Sequence, residues 1–337
     1  MMNVHFHTQQ LDFHPKYEWA LGNRIKHPET TRRAESIFKA IKKESDLFKI
    51  VEPARIPLTA IRETHSYQLL TLYHTASALE EETTFYPSVF PQKEKTKPDP
   101  TNILHAGFFC FDSGTPLDRH TWLAAAWSAA SAYFAAQEIL KEQSKVTYAL
   151  SRPPGHHASR DTYGGYCYLN NAAIAAKVLR KKGRVAILDL DFHHGNGTQD
   201  IFYRDDRCLF VSIHADPRKY FPFFKGFPTE TGDGPGNGFN INLLIPEHCD
   251  WKSYKKILEF DAIQAIKRFE PDYLVVSTGF DTYEKDPVGS SKLTTEDYHS
   301  MGGVLNKLKI PTVIVQEGGY FAQDLGANVL SFLKAFN

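Results

Sequence analysis

The stretch "AILDLDFHHGNGTQD", Ala186 to Asp200, decides how the chain is read. With Val185 it opens as an apolar run, VAIL, of the kind that a strand buried on both faces requires. The run then gives way to Asp189, Asp191, His193 and His194, followed by two glycines around Asn196. Asp191 and His193 are two apart, so on extended chain they point to the same side and can meet one cation. A D-x-H pair alone is equally a capped strand end with a solvated histidine. Its meaning depends on what the rest of the chain brings to it.

Four further runs resemble VAIL: VTYAL (146–150), CLFVSI (208–213), YLVVS (273–277) and PTVIV (311–315). Helix-like stretches lie between several of them: Asn171 to Lys182, Asp250 to Phe269 and Thr294 to Leu308. Ala-rich Thr121 to Lys141 precedes the first run and reads as a buried helix. Continuous apolar strands separated by helices predict an α/β fold, with a parallel sheet covered on both faces. No linker divides the 337 residues, so one domain over 1–337 is expected. The exception in texture is Glu81 to Asn102, "EETTFYPSVFPQKEKTKPDPTN", whose prolines cannot continue a helix or a central strand. It reads as an insertion loop, either functional or a solvated excursion.

Composition narrows the function. Lys plus Arg and Asp plus Glu are 39 each, so no net field recommends nucleic acid or an acidic membrane as partner. No window reaches the ~18 apolar residues of a membrane span, and the N-terminus lacks an apolar signal region. Four scattered cysteines without a CxxC read as reduced thiols in a cytoplasmic protein.

Each strand-like run is followed by a loop rich in Gly, His, Asp or Tyr: "SRPPGHHASRDTYGGYCYLNN", "DLDFHHGNGTQD", "HADP", "TGFDTYEKDP" and "QEGGY". Ligands of open α/β sheets bind beyond the carboxyl ends of the strands, so these loops are expected on one rim. Asp281, in GFD, offers a second carboxylate to the Asp191–His193 pair. An Asp₂His set leaves a position open, as catalytic zinc sites do, and suits Fe(II) as well. In RPPGHH the histidines His156 and His157 can serve as a general base and a charged partner. In EGGY the Tyr320 hydroxyl can donate to a developing oxyanion; GGY is equally a turn followed by a packing aromatic.

Taken as an ordered set, RPPGHH, GGYCYLNNAA, DLDFHHGNGTQ, GFDTYEKDP and EGGY resemble the zinc-dependent histone deacetylase superfamily, and within it the bacterial acetylpolyamine amidohydrolases. The resemblance implies an arginase-like α/β domain around a parallel sheet of about eight strands. It also implies zinc held by Asp191, His193 and Asp281, and an acetamide substrate whose carbonyl meets zinc and Tyr320. His157 is then the proton carrier and His156 its electrostatic partner, with Asp189 beside His156. Asn196 falls where some members place an Asp beside the second histidine, which predicts a lower pKa for His157. Tyr166 and Phe221 correspond to two aromatic walls around a methylene chain, with Gly165 accepting the substrate amide N–H. Asp189, with the backbone around Asp191, His193, Ser212 and Ile213, corresponds to a structural potassium site.

For the substrate, the resemblance implies N-acetylated polyamines or similar small acetylated amines; the alternative is acetyl-lysine in proteins or peptides. The 81–102 insertion falls where the polyamine enzymes narrow the site across a homodimer. Those enzymes also place an acidic residue against a distal ammonium, and here Gly114 stands at that position. Asp112, two residues earlier, is read as a substrate contact or as an Asx-turn residue before Ser113 and Gly114. Relatives that hydrolyse guanidino groups with two manganese ions lack the tyrosine. A non-catalytic protein on the same scaffold would not need the full set of ligands, histidines and tyrosine.

Overall fold

The computed structural model describes residues 1–20, 22–90 and 98–337. Strand β1 (Met2–His5) is followed by a hairpin of β2 (Tyr17–Ala20) and β3 (Asn23–Lys26), then α1 (Thr31–Lys42), β4 (Phe48–Val51), α2 (Leu58–Arg62) and α3 (Tyr67–Ala76). The middle of the chain supplies α4 (Thr121–Leu140), β5 (Val146–Ala149), α5 (Asn171–Leu179), β6 (Val185–Asp189), α6 (Asn196–Phe202), β7 (Cys208–Ala215) and β8 (Asn240–Ile245). The last part gives α7 (Trp251–Lys256), α8 (Ile263–Phe269), β9 (Tyr273–Thr278), α9 (Thr295–Asn306), β10 (Thr312–Gln316) and α10 (Ala322–Lys334). Residues 91–97 of the predicted insertion lie outside the described residues.

Eight strands form one sheet in the order β4-β1-β5-β10-β9-β6-β7-β8, every pairing parallel. The five runs read from the sequence are β5, β6, β7, β9 and β10, which stand together in the middle of it. Their side chains alternate between two cores. Ala186 and Leu188 join one with Ile37, Val329 and Phe332; Val185 and Ile187 join the other with the small residues of α4 and α5. Ala132, Ala135 and Ala136 meet Ala172, Ala173 and Ala176 there, so these helices approach closely over the sheet. β1, β4 and β8 were not anticipated. They are only four to six residues long and carry Asn, His or Lys, so no continuous apolar run announces them.

The segment expected as one helix over 250–269 is helical throughout, but Ile257–Ala262 is a π-helix between α7 and α8. The four cysteines are buried and unpaired. Among the described residues no helix is long and apolar enough to cross a membrane.

The strand order explains the rim. Four neighbours, β5-β10-β9-β6, are followed by the RPPGHH, EGGY, GFD and DFHH loops, with β7 and its loop beside them. Segments well over a hundred residues apart in sequence, such as 152–157 and 317–320, therefore share one edge of the sheet.

Candidate active site

Asp191, His193 and Asp281 each offer a ligand atom, and these atoms lie within 4.8 Å of one another. The His193 Nδ1 is 2.9 Å from Asp281 Oδ2 and 3.4 Å from Asp191 Oδ1. Backbone donors aim the carboxylates: His193 N–H and Gly318 N–H hold the two Asp191 oxygens at 2.9 and 2.8 Å, and Phe192 N–H holds Asp281 Oδ1 at 2.9 Å. Two glycines permit this convergence. A Cβ on Gly279 would lie 1.9 Å from Asp191 Oδ2, and one on Gly318 would lie within 2.7 Å of both carboxylates.

The electrostatics fit a cation. Burial, then the Asp191 charge, pushes Asp281 up to about 7. Burial raises Asp191 as well, but the His156 charge and the His193 hydrogen bond and charge prevail and lower its pKa. Burial would lower His193, yet hydrogen bonds to both carboxylates raise it to about 9. A proton on His193 thus stands between two carboxylates where a divalent ion would bind all three. A second trio, His156, Cys167 and Glu317, also converges. Its Glu317 oxygens are already taken by Gly155 N–H (2.6 Å), His156 N–H (3.1 Å) and Ser277 Oγ (2.7 Å), and burial drives the Cys167 thiol well above its usual range. The Asp–His–Asp trio is the better ligand set.

The histidine pair is split. His156 Nδ1 meets Asp189 Oδ2 at 3.0 Å, and its Nε2 is 3.8 Å from Asp191. Burial opposes its charge, but Asp191 and Asp189 outweigh burial and raise it to about 10. His157 Nδ1 meets Asn196 Oδ1 at 2.7 Å. Burial, then the His156 and His193 charges, holds His157 well below the ordinary histidine value. With the amide oxygen accepting from Nδ1–H, Nε2 of a neutral His157 keeps its lone pair. Tyr320 is half-buried, and burial lifts its phenol well above 10, so it remains an O–H donor.

Tyr166 and Phe221 each pack against a residue of the site. Phe221 packs edge-on to His157 at 4.9 Å, and Tyr166 lies 5.8 Å from Tyr320. Gly165 (φ +56°) slips between them, since a Cβ there would meet His157 at 2.3 Å and Phe221 at 2.8 Å. Tyr166 itself has φ 64°, a strained value for a bulky residue. The turn is held by Asp112, whose carboxylate accepts from Gly165 N–H, from Gly114 N–H (2.9 Å) and from Thr115 Oγ (3.0 Å). These are the bonds of an Asx-type turn that also braces Gly165. Asp189 pairs in register with Ser212, next to Ile213; Ser212 Oγ is engaged with His214 Nδ1 at 2.8 Å. His194 is buried against His214.

Three groups here have no counterpart in the sequence reading. Glu18 of β2 is buried and hydrogen-bonded to Tyr166, and a Cβ on Gly114 would lie 2.9 Å from its Oε2. A carboxylate therefore fills the space that a side chain at 114 would occupy. Arg33 of α1 donates to the Glu317 and Gly319 carbonyls, both at 2.5 Å, and lies over the Tyr320 ring. Asp286 accepts from Tyr320 N–H at 2.6 Å.

A parallel sheet whose central loops converge on an Asp–His–Asp trio, a split histidine pair and a tyrosine defines a metal-assisted hydrolase-type site. Residues 27–336 match the histone deacetylase domain, and the chain belongs to that family. It is 38% identical over 345 residues to an acetylpolyamine amidohydrolase of Burkholderia pseudomallei, covering 99% of this chain and 98% of that one. It is also 38% identical over 340 residues to an acetylpolyamine amidohydrolase of Mycoplana ramosa, covering 99% of each. The crystal structure of an acetylpolyamine aminohydrolase from Burkholderia pseudomallei superposes with a TM-score of 0.93 at 37% identity, covering 100% of this chain and 98% of the other.

Two outcomes follow from the geometry. Gly279→Ala should fold yet bind zinc roughly 10–100-fold more weakly, as when a group that orients a ligand is disturbed; unchanged zinc affinity in a competition titration would contradict the close-approach argument. If His157 is the proton acceptor, the acid limb of kcat/KM follows its lowered pKa, since a charged imidazole cannot accept a proton. Asn196→Asp sets a carboxylate against it, raises that pKa and should move the acid limb to higher pH by about one unit. A limb that stays in place would remove His157 from that role.

Proposed function

We propose that this protein removes acetyl groups from N-acetylated polyamines or related small acetylated amines, with zinc at Asp191, His193 and Asp281. The chain is a hydrolase of amide bonds. The observation that carries the mechanism is the different partners of the histidine pair beside the ligand trio, a carboxylate on His156 Nδ1 at 3.0 Å and an amide oxygen on His157 Nδ1 at 2.7 Å. When bound, a dication lowers the pKa of a water from 15.7 towards ~7 and polarises a carbonyl; Fe(II) suits the same donors.

His157 Nε2 takes the proton of the attacking water as its oxygen bonds to the acetyl carbon. Tyr320 O–H donates to the oxygen that becomes negative. As the C–N bond breaks, His157 returns the proton to the departing nitrogen, and the acid that keeps the water's second proton passes it to the amine, so that acetate and the ammonium product separate. His156, kept charged by Asp189 and Asp191, stabilises the negative charge and does not give up its proton near neutral pH.

Two observations favour a slender, cationic substrate. Gly165, Tyr166 and Phe221 make an aromatic slot suited to a methylene chain, and Glu18 places a buried carboxylate behind Tyr166. The names of the relatives point the same way. The second reading, acetyl-lysine in peptides, would use the same chemistry with Asp112 as a backbone contact. It is disfavoured because the Asp112 carboxylate is already engaged by three donors. Asp189, with the backbone at Asp191, His193, Ser212 and Ile213, would hold potassium as a structural ion. Buried thiols fit the cytoplasm.

Acetate release by the zinc-loaded protein tests the reading. Acetylputrescine or acetylspermidine should exceed an acetyl-lysine peptide in kcat/KM by tenfold or more, about 1.4 kcal/mol in the barrier. Tyr320→Phe should cost about 10²–10³ in kcat, and Glu18→Gln should raise KM for the polyamine alone. A peptide preference would select the second reading. We further infer a homodimer through the 81–102 segment, around which Val89, Phe90 and Leu104 are exposed. Sedimentation should give twice the chain mass, and deleting residues 91–97 should reduce it to one; a monomeric wild type would refute this.

A further inference from the structure

The turn that carries Tyr320 is held at nearly every polar atom. Arg33 takes the carbonyls of Glu317 and Gly319, and Asp191 takes the N–H of Gly318. The Gly318 carbonyl accepts from Gln316 Nε2 at 2.8 Å. Two further donors, Tyr320 N–H and Phe321 N–H, both go to one oxygen, Asp286 Oδ2, at 2.6 and 3.1 Å. Asp286 comes from the loop after β9, five positions beyond Asp281. Its other oxygen accepts from Val288 N–H at 3.1 Å, and its own N–H donates to the Tyr283 carbonyl at 3.0 Å, so the carboxylate is fixed within that loop.

Phe321 precedes α10 in the cap position, and its side chain cannot accept a hydrogen bond. The first N–H groups of a helix need partners from elsewhere, and a negative group is favoured at that end. Asp286 meets both needs from a different strand's loop. Burial opposes the Arg33 charge, the Glu29 carboxylate chiefly sustains it, and Asp286 adds to it from the other side of the turn. The carboxylate thereby ties the backbone of Tyr320 to the loop that presents Asp281. Of the side chains that hold this turn, Asp286 is the one bonded to the N–H of Tyr320 itself.

We infer that Asp286 is a positioning residue for Tyr320, holding the phenol in reach of the oxyanion without touching substrate. The inference rests on the role given to Tyr320 above. A double-mutant cycle separates the two, using zinc-loaded enzyme and the better of the polyamine and peptide substrates. Asp286→Ala should lower kcat at least tenfold and leave KM within about twofold. Asp286→Asn keeps a neutral acceptor oxygen and should recover part of that loss. On the Tyr320→Phe background, either Asp286 change should cost less than about twofold, because the group it positions is gone. An equal fold-loss on both backgrounds, or no loss at all, overturns the inference. If the alanine variant fails to fold, the asparagine variant decides by the same comparison. Full activity in Tyr320→Phe alone would instead overturn the role of the tyrosine itself.

Discussion

Four carboxylates, Asp189, Asp191, Asp281 and Glu317, are buried side by side at the ends of neighbouring strands, and the local structure answers to that charge. Burying a carboxylate without partners costs many kcal/mol. Here backbone N–H groups of Asp191, Phe192, His193, Gly155, His156 and Gly318 supply donors, which requires loops that fold tightly over the strand ends. Glycines 155, 279 and 318 stand where a side chain would collide with these loops or carboxylates. Even so the charge is not neutralised by donors alone. Asp281 is pushed to about 7 and His193 to about 9, the behaviour of a site whose missing charge is positive.

The same field separates two adjacent residues. His156 faces Asp189 and Asp191, while His157 faces an amide oxygen and lies beside the His156 imidazole. Neighbours on one turn thus come to hold opposite charge states, which proton transfer and charge stabilisation require of different groups. Asn196 orients His157 through a neutral amide oxygen, and the upward push of that hydrogen bond does not overcome burial and the neighbouring imidazoles.

How much of this the sequence discloses depends on where each side chain sits. The five central strands are legible because both faces are buried, so their runs contain almost no polar residue. β8 alternates between buried and partly exposed positions, and β4 lies at an edge, so their polar residues hide them. The loops at the sheet's rim are legible because clustered His, Asp and Gly are unusual after a buried run. Arg33 is not: "TRRAESIFK" reads as an ordinary amphipathic helix, and nothing local says that one of two adjacent arginines is fully buried. Asp286 falls within the rim loop TGFDTYEKDP, but nothing in "EKDP" says what it would hold. Both act on the tyrosine turn across long sequence separations, and local pattern carries no information about such contacts.

Glu18 makes the sharper case. Matching by position looks for an acidic side chain at residue 114 and finds glycine. In space the carboxylate is there, delivered from β2, and a side chain at 114 would collide with it. The exchange is coherent: Asp112 braces the backbone from Gly114 to Gly165, the small residue at 114 leaves room, and the hairpin brings Glu18 against Tyr166. Recognition of a distal cation depends on where negative charge stands relative to the aromatic slot, since the interaction falls with distance and with exposure to water. Chain position enters only through the fold that delivers the charge, so different segments can meet the same electrostatic requirement. What has to be kept is the buried geometry around Tyr166, whose strained backbone is stable only while Asp112 and Thr115 hold its turn.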